Sequence, residues 1–150
     1  AGVTTSPNEQ WMRTIACNLT NCEDGFLNGK RYLIHDRDNK FCSKFLRTVA
    51  EAGIQSVKLP PCSPNLNAFA ERFVLSLKQE CTDRMIFFGE KSLRNALRQY
   101  VEHYHAERNH QCLDNTIILP AGDIAEAEGE LQCRERLGGV LRYYYYRNAA

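Results

Sequence analysis

Two short apolar runs on either side of a helical pattern most constrain what this chain can fold into. Arg31 to His35, with Tyr32, Leu33 and Ile34 at its centre, reads as a strand. Residues 42–52 read as a helix with Phe41, Phe45, Leu46 and Val49 on its buried side, and Gly53 stops it. Ile54 to Leu59 alternates apolar and polar side chains, which is the period of a second strand. Strand, helix, strand in succession argues an α/β layer with parallel pairing.

The flanking segments extend this pattern. Residues 1–5 read as a β run. Ser6, Pro7 and Glu9 read as a helix start, with Ser6 as the cap and Pro7 at the first helical position. That helix is predicted to run to Asn18, with Trp11, Ile15 and Leu19 on one face. Residues 20–30, with Gly25 and Gly29, are a loop. After Pro60, Pro61 and Pro64 break regular structure, helices are predicted over 65–82 and 90–106, then an irregular connector over 107–122. Gly138-Gly139 between two β-prone runs, 131–137 and 140–146, predicts a C-terminal hairpin.

At 150 residues the chain is expected to be one domain with an appendage, divided as 1–122 and 123–150. Its 19 basic and 18 acidic residues nearly cancel, so any basic footprint has to be local. The seven cysteines include no Cys-x-x-Cys pair and read as small buried or half-exposed residues of a reduced, cytoplasmic protein. No apolar run is long enough to span a membrane, and the N-terminus is not a signal peptide.

Two carboxylates carry the chemistry. Asp36 follows the first apolar strand, and Glu71 sits on the helix after the prolines. A strand-end aspartate and a helix-borne glutamate can share a hard divalent cation, which prefers carboxylate oxygen and keeps positions open for water and phosphate. At 100° per residue, Asn67, Glu71 and Lys78 fall on one polar face beside an apolar arc of Leu66, Phe69, Phe73 and Leu77, with Arg72 a quarter-turn away. An amide, a carboxylate and an ammonium in file suit a metal-and-phosphate site. Taken singly, Glu71 and Lys78 also read as solvated helix charges, and Asp36 as a turn aspartate.

The combination of motifs is what separates these readings. His35-Asp36-Arg37-Asp38 followed by Phe41, then Leu59-Pro-Pro-Cys-Ser-Pro64, then Asn67-Ala-Phe-Ala-Glu71-Arg-Phe73 and Lys78 resembles the integrase core domain of DDE transposases and retroviral-type integrases. Asn109-His110, Leu113 and Pro120 resemble the segment that closes that core. The resemblance covers residues 1–122 and implies a ribonuclease-H-like mixed sheet with helices on both faces. It implies Asp36 and Glu71 as catalytic, metal-holding residues of a two-ion Mg²⁺ or Mn²⁺ site. It also implies Asn67 and Lys78 as contacts to DNA ends. The partners it implies are double-stranded DNA, both element ends and target, and further copies of the chain on that DNA. The reaction it implies is water attack on a DNA phosphodiester, then attack of the freed 3′-hydroxyl on target DNA.

The family's first aspartate, on the first strand of its sheet, has no match here. Asp24 is the one aspartate before Asp36, and it lies in a glycine-containing loop. The chain is therefore expected to lack the first strands of the fold, to expose a sheet edge, to bind metal weakly and to perform little strand transfer alone. An integrase or transposase core impaired in this way is one functional reading. A non-catalytic DNA-binding or oligomerisation remnant is another, and an unrelated ribonuclease-H-like nuclease is a third.

Two further clusters remain. His103, His105, His110 and Cys112 lack zinc spacing and read as surface histidines near a loop. Residues 131–150 carry Arg134, Arg136, Arg142 and Arg147 against Glu135, a net +3, interleaved with tyrosines. Such a ribbon suits DNA phosphates and bases, through Arg134, Arg136 and Arg142, or else is a tail packed on the core.

Overall fold

The computed structural model describes residues 2–61, 63–120 and 129–147. The first helix, α1 (Glu9–Leu19), is capped by Asn8 rather than Ser6. The Asn8 side chain accepts from the Trp11 backbone N–H at 2.9 Å, which satisfies a donor of the first turn. Pro7 therefore precedes the cap. Residues 2–6 form no strand. Gly2 lies against α1 instead, where a Cβ on it would stand 3.0 Å from the Trp11 ring and 3.2 Å from Ile15.

The predicted strand–helix–strand unit is present as β1 (Tyr32–His35), α2 (Ser43–Glu51) and β2 (Gln55–Lys58). Gly53, at φ +79°, turns the chain out of α2, a conformation that a side chain would strain. β1 and β2 pair in parallel, Tyr32 with Gln55 through His35 with Lys58. Met12 and Ala16 of α1, Phe45 and Val49 of α2, Leu27 and Ile54 form a buried core, with Trp11, Ile15, Leu19, Leu33, Phe41 and Leu46 packed against it. The opposite face of the strand pair leaves Tyr32, Ile34 and Val57 exposed.

The second half begins with a 3-10 turn (Pro64–Asn67) that runs into α3 (Ala68–Glu80). Only Phe73 and Leu77 of the expected apolar arc pack inward; Leu66 and Phe69 are exposed, Phe69 at 85%. Asn67 belongs to the tighter turn, so a uniform 100° step does not carry its face through to Glu71. α4 (Gly89–Ala106) follows as predicted, and β3 (Glu130–Arg136) and β4 (Leu141–Arg147) form the antiparallel hairpin. Cys81, Ala96, Tyr100, Tyr104 and Leu141 make a second core with Phe73, Leu77, Met85, Phe87, Leu137 and Val140.

The residues group into two compact units, Ala1–Glu71 and Arg72–Ala150. The division expected at 122/123 falls within 121–128, outside the described residues. The α/β class holds, but one mixed sheet flanked on both faces does not describe these residues. They form two separate two-stranded sheets, because β1 pairs only with β2 and β3 only with β4. Six cysteines are free thiols, and Cys17, Cys22, Cys112 and Cys133 are exposed rather than buried; Cys62 lies outside the described residues.

Candidate functional site

Asp36 stands where β1 ends, at the carboxyl edge of a parallel strand pair, the edge at which open α/β sheets bind ligands. Its exposed side chain folds back once: Oδ1 accepts from the Asp38 N–H at 3.2 Å. The rest of the carboxylate has no ion-pair partner among the described residues. The loop around it is tied down at three points. His35 is buried, and its Nδ1 donates to the Asp36 carbonyl at 2.7 Å, since a carbonyl can only accept. Its Nε2 then accepts from the Ser56 hydroxyl at 2.8 Å, which bridges β1 to β2. Arg37 Nε donates to the Leu59 carbonyl at 3.0 Å and so fastens the Asp36 loop to the end of β2. Asp38 closes on Lys40, whose ammonium and backbone N–H hold its carboxyl below the usual value.

Glu71 lies in the first turn of α3, where the helix dipole favours an anion. It is exposed and makes no hydrogen bond or ion pair among the described residues. Arg72 and Lys78 are likewise exposed, and Asn67 is half-buried in the 3-10 turn. Lys78 follows Glu71 by nearly two helical turns, so the two project from the same side of α3. Among the described residues, no three His, Cys, Asp or Glu side chains gather closely enough to hold a metal ion. What Asp36 and Glu71 offer is two hard oxygen donors, each with free lone pairs, which suits Mg²⁺ or Mn²⁺ in kind and is short in number.

The hairpin arginines divide between two faces. Register places Arg134 opposite Tyr143 and Arg136 opposite Leu141, while Arg142 pairs with Glu135 on the other side of the ribbon. Arg136 grips Glu107 with two parallel bonds, Nε to Oε2 at 2.9 Å and Nη2 to Oε1 at 2.7 Å, and its Nη1 reaches Glu102 at 2.7 Å. Arg134 adds a bond to Glu107 Oε1 at 3.1 Å and lies over the Tyr145 ring. Arg142 binds Glu135 at 3.0 Å. The alternating arginines and tyrosines therefore do not form one continuous basic surface.

Glu107, just after α4, is the group that sequence reasoning missed. It is 4% exposed and also receives His103 Nδ1 at 3.0 Å. Burial pushes its carboxyl up, but the hydrogen bonds from Arg136, His103 and Arg134 outweigh burial and lower it to about 2. His103 and His110 are buried rather than on the surface. His110 Nε2 donates to the Tyr104 carbonyl at 2.9 Å, and Arg108 grips Glu80 through Nε at 3.0 Å and Nη2 at 2.7 Å. The only sequence signal for Glu107 was its spacing of four from His103 on a helical period.

Comparison with known families finds one match: residues 52–116 fit the family model described as integrase core domain. That segment holds the Leu59–Pro64 motif, Asn67, Glu71, Arg72, Lys78 and Asn109-His110, whereas Asp36 lies outside it. No helix of the described residues is long and apolar enough to cross a membrane. Neither a curated protein nor a solved structure matches the chain.

Proposed function

We infer, from an integrase core domain signature across residues 52–116, that this chain is a DNA-processing protein of the integrase and transposase kind. The observation that carries the reading is the exposed Glu71 within the matched segment, on the same helix as exposed Arg72 and Lys78, none of the three in an ion pair among the described residues. Asp36 and Glu71 would hold the divalent ion, Mg²⁺ or Mn²⁺. Such an ion, when bound, polarises a phosphodiester and eases ionisation of water. Lys78 and Arg72 neutralise phosphates of duplex DNA, and Asn67 positions a nucleotide. Arg37 and His35 keep the Asp36 loop in place. In the cleavage step, water oxygen bonds to phosphorus, the bridging bond breaks, and the departing 3′-oxygen takes a proton.

Arg134, Arg136 and Arg142 stand outside this reading, because each already has a carboxylate partner. Among the described residues no three His, Cys, Asp or Glu side chains gather closely enough to hold a metal ion, which keeps a second reading beside the first, DNA binding without cleavage.

Labelled duplex DNA with Mn²⁺ distinguishes the two. Nicking that disappears in Asp36→Asn and in Glu71→Gln supports the enzyme. Binding without nicking, weakened several-fold by Arg72→Ala with Lys78→Ala, supports the non-catalytic form. Failure to bind duplex DNA even at low salt overturns both.

A further inference from the structure

The outer face of the β3–β4 ribbon is unusual for its composition. Three cross-strand pairs build it: Glu135 with Arg142, Cys133 with Tyr144, and Leu131 with Tyr146. All six residues are exposed, Leu131 at 59%, Tyr144 at 58% and Tyr146 at 43%. The other face holds Arg134, Arg136 and Leu141, which are committed to Glu107 and the second core. The outer face thus ends in one positive and one negative charge and is otherwise apolar or aromatic. Its net charge is zero, which is the wrong balance for a polyanion. An exposed apolar strip on a well-anchored ribbon is the kind of surface that takes a protein partner.

We propose that this face binds the same face of a second copy of the chain. The argument is charge complementarity under two-fold symmetry. A two-fold axis parallel to the strands lays β3 of one copy over β4 of the other. Glu135 then faces the partner's Arg142, Arg142 faces the partner's Glu135, Leu131 packs on Tyr146, and Cys133 lies against Tyr144. Every residue of the strip meets a suitable neighbour, and the two charges at its end become an alternating four-charge cluster. Sheets packed this way stand about 10 Å apart, too far for the two Cys133 thiols to form a disulfide. Six residues a side make an area below the roughly 800 Å² per partner of a standard interface, so the dimer is weak and concentration-dependent. The proposal needs no DNA and is independent of the functional reading above.

Sedimentation equilibrium of the full chain under reducing conditions tests it. The wild type is expected to dimerise as concentration rises. Glu135→Arg and Arg142→Glu each place like charges across the interface and are expected to weaken self-association at least about tenfold. Mixing these two variants is the decisive arm. Each supplies the charge that the other lacks across the interface, so the mixture regains association, which repair of the pair within one chain cannot produce. Tyr144→Asp, at an exposed position, provides an independent disruption, and circular dichroism checks that each variant is folded. A wild type that stays monomeric overturns the proposal, as does a dimer indifferent to all three substitutions. Salt-dependent binding of DNA by a monomer, lost in Tyr144→Asp, overturns it in favour of a nucleic-acid surface.

Discussion

Glu107 shows what a single residue does here. A buried carboxylate is costly unless it is paired and hydrogen-bonded, and Glu107 is both, through Arg136, Arg134 and His103. Its carboxyl sits at about 2 against an ordinary 4.5. A depressed carboxylate contributes its stability above the ordinary value and loses it as pH falls through the folded one. Folded-state stability is therefore expected to fall by roughly 3 kcal/mol between pH 4.5 and 2 from this residue. Glu107→Gln should destabilise the chain at neutral pH by a similar amount and flatten that acid limb, measured by urea titration across the range. An acid limb equally steep in the variant would assign it to other groups. Sequence concealed this residue because its arginine partners lie 27 and 29 positions downstream.

At the scale of elements, local rules worked where partners were local. The β1–α2–β2 unit, the α4 helix and the hairpin follow from period and from Gly53 and Gly138-Gly139, since each needs only neighbours in sequence. The start of α1 was misread by two residues because Ser6 and Asn8 are both good caps, and only the backbone decides which one turns extended. Asn8→Ala is expected to cost about 1 kcal/mol, while Ser6→Ala is near neutral. Trp11 fluorescence, which reports α1 directly, reads both in a denaturant titration. Equal effects would return the cap to Ser6. The 3-10 turn before α3 had a partial signal in Pro64, but its tighter pitch could not be read from spacing.

For the whole molecule, charge is the quantity to watch. The 19 basic and 18 acidic residues nearly cancel, and Arg134, Arg136 and Arg142 are tied to carboxylates, so any phosphate contact has to come from local groups elsewhere. If Arg72 and Lys78 supply the DNA contacts, the slope of log affinity against log salt should be about −2. Fluorescence anisotropy on duplex DNA measures it. A slope much steeper than that would bring the hairpin arginines back as DNA contacts.

Order along the chain was enough to establish the strand–helix–strand unit, the hairpin and a likeness to the integrase core domain that the family model matches over residues 52–116, because periodicity, turn residues and motif spacing act between near neighbours. Only the tertiary structure decided that β1–β2 and β3–β4 are separate sheets, that His103 and His110 are buried, and that Glu107 claims two hairpin arginines. The reason is physical. Which face of a ribbon turns inward depends on what is packed beneath it, and the carboxylate that turns this one is separated from it by a long stretch of chain.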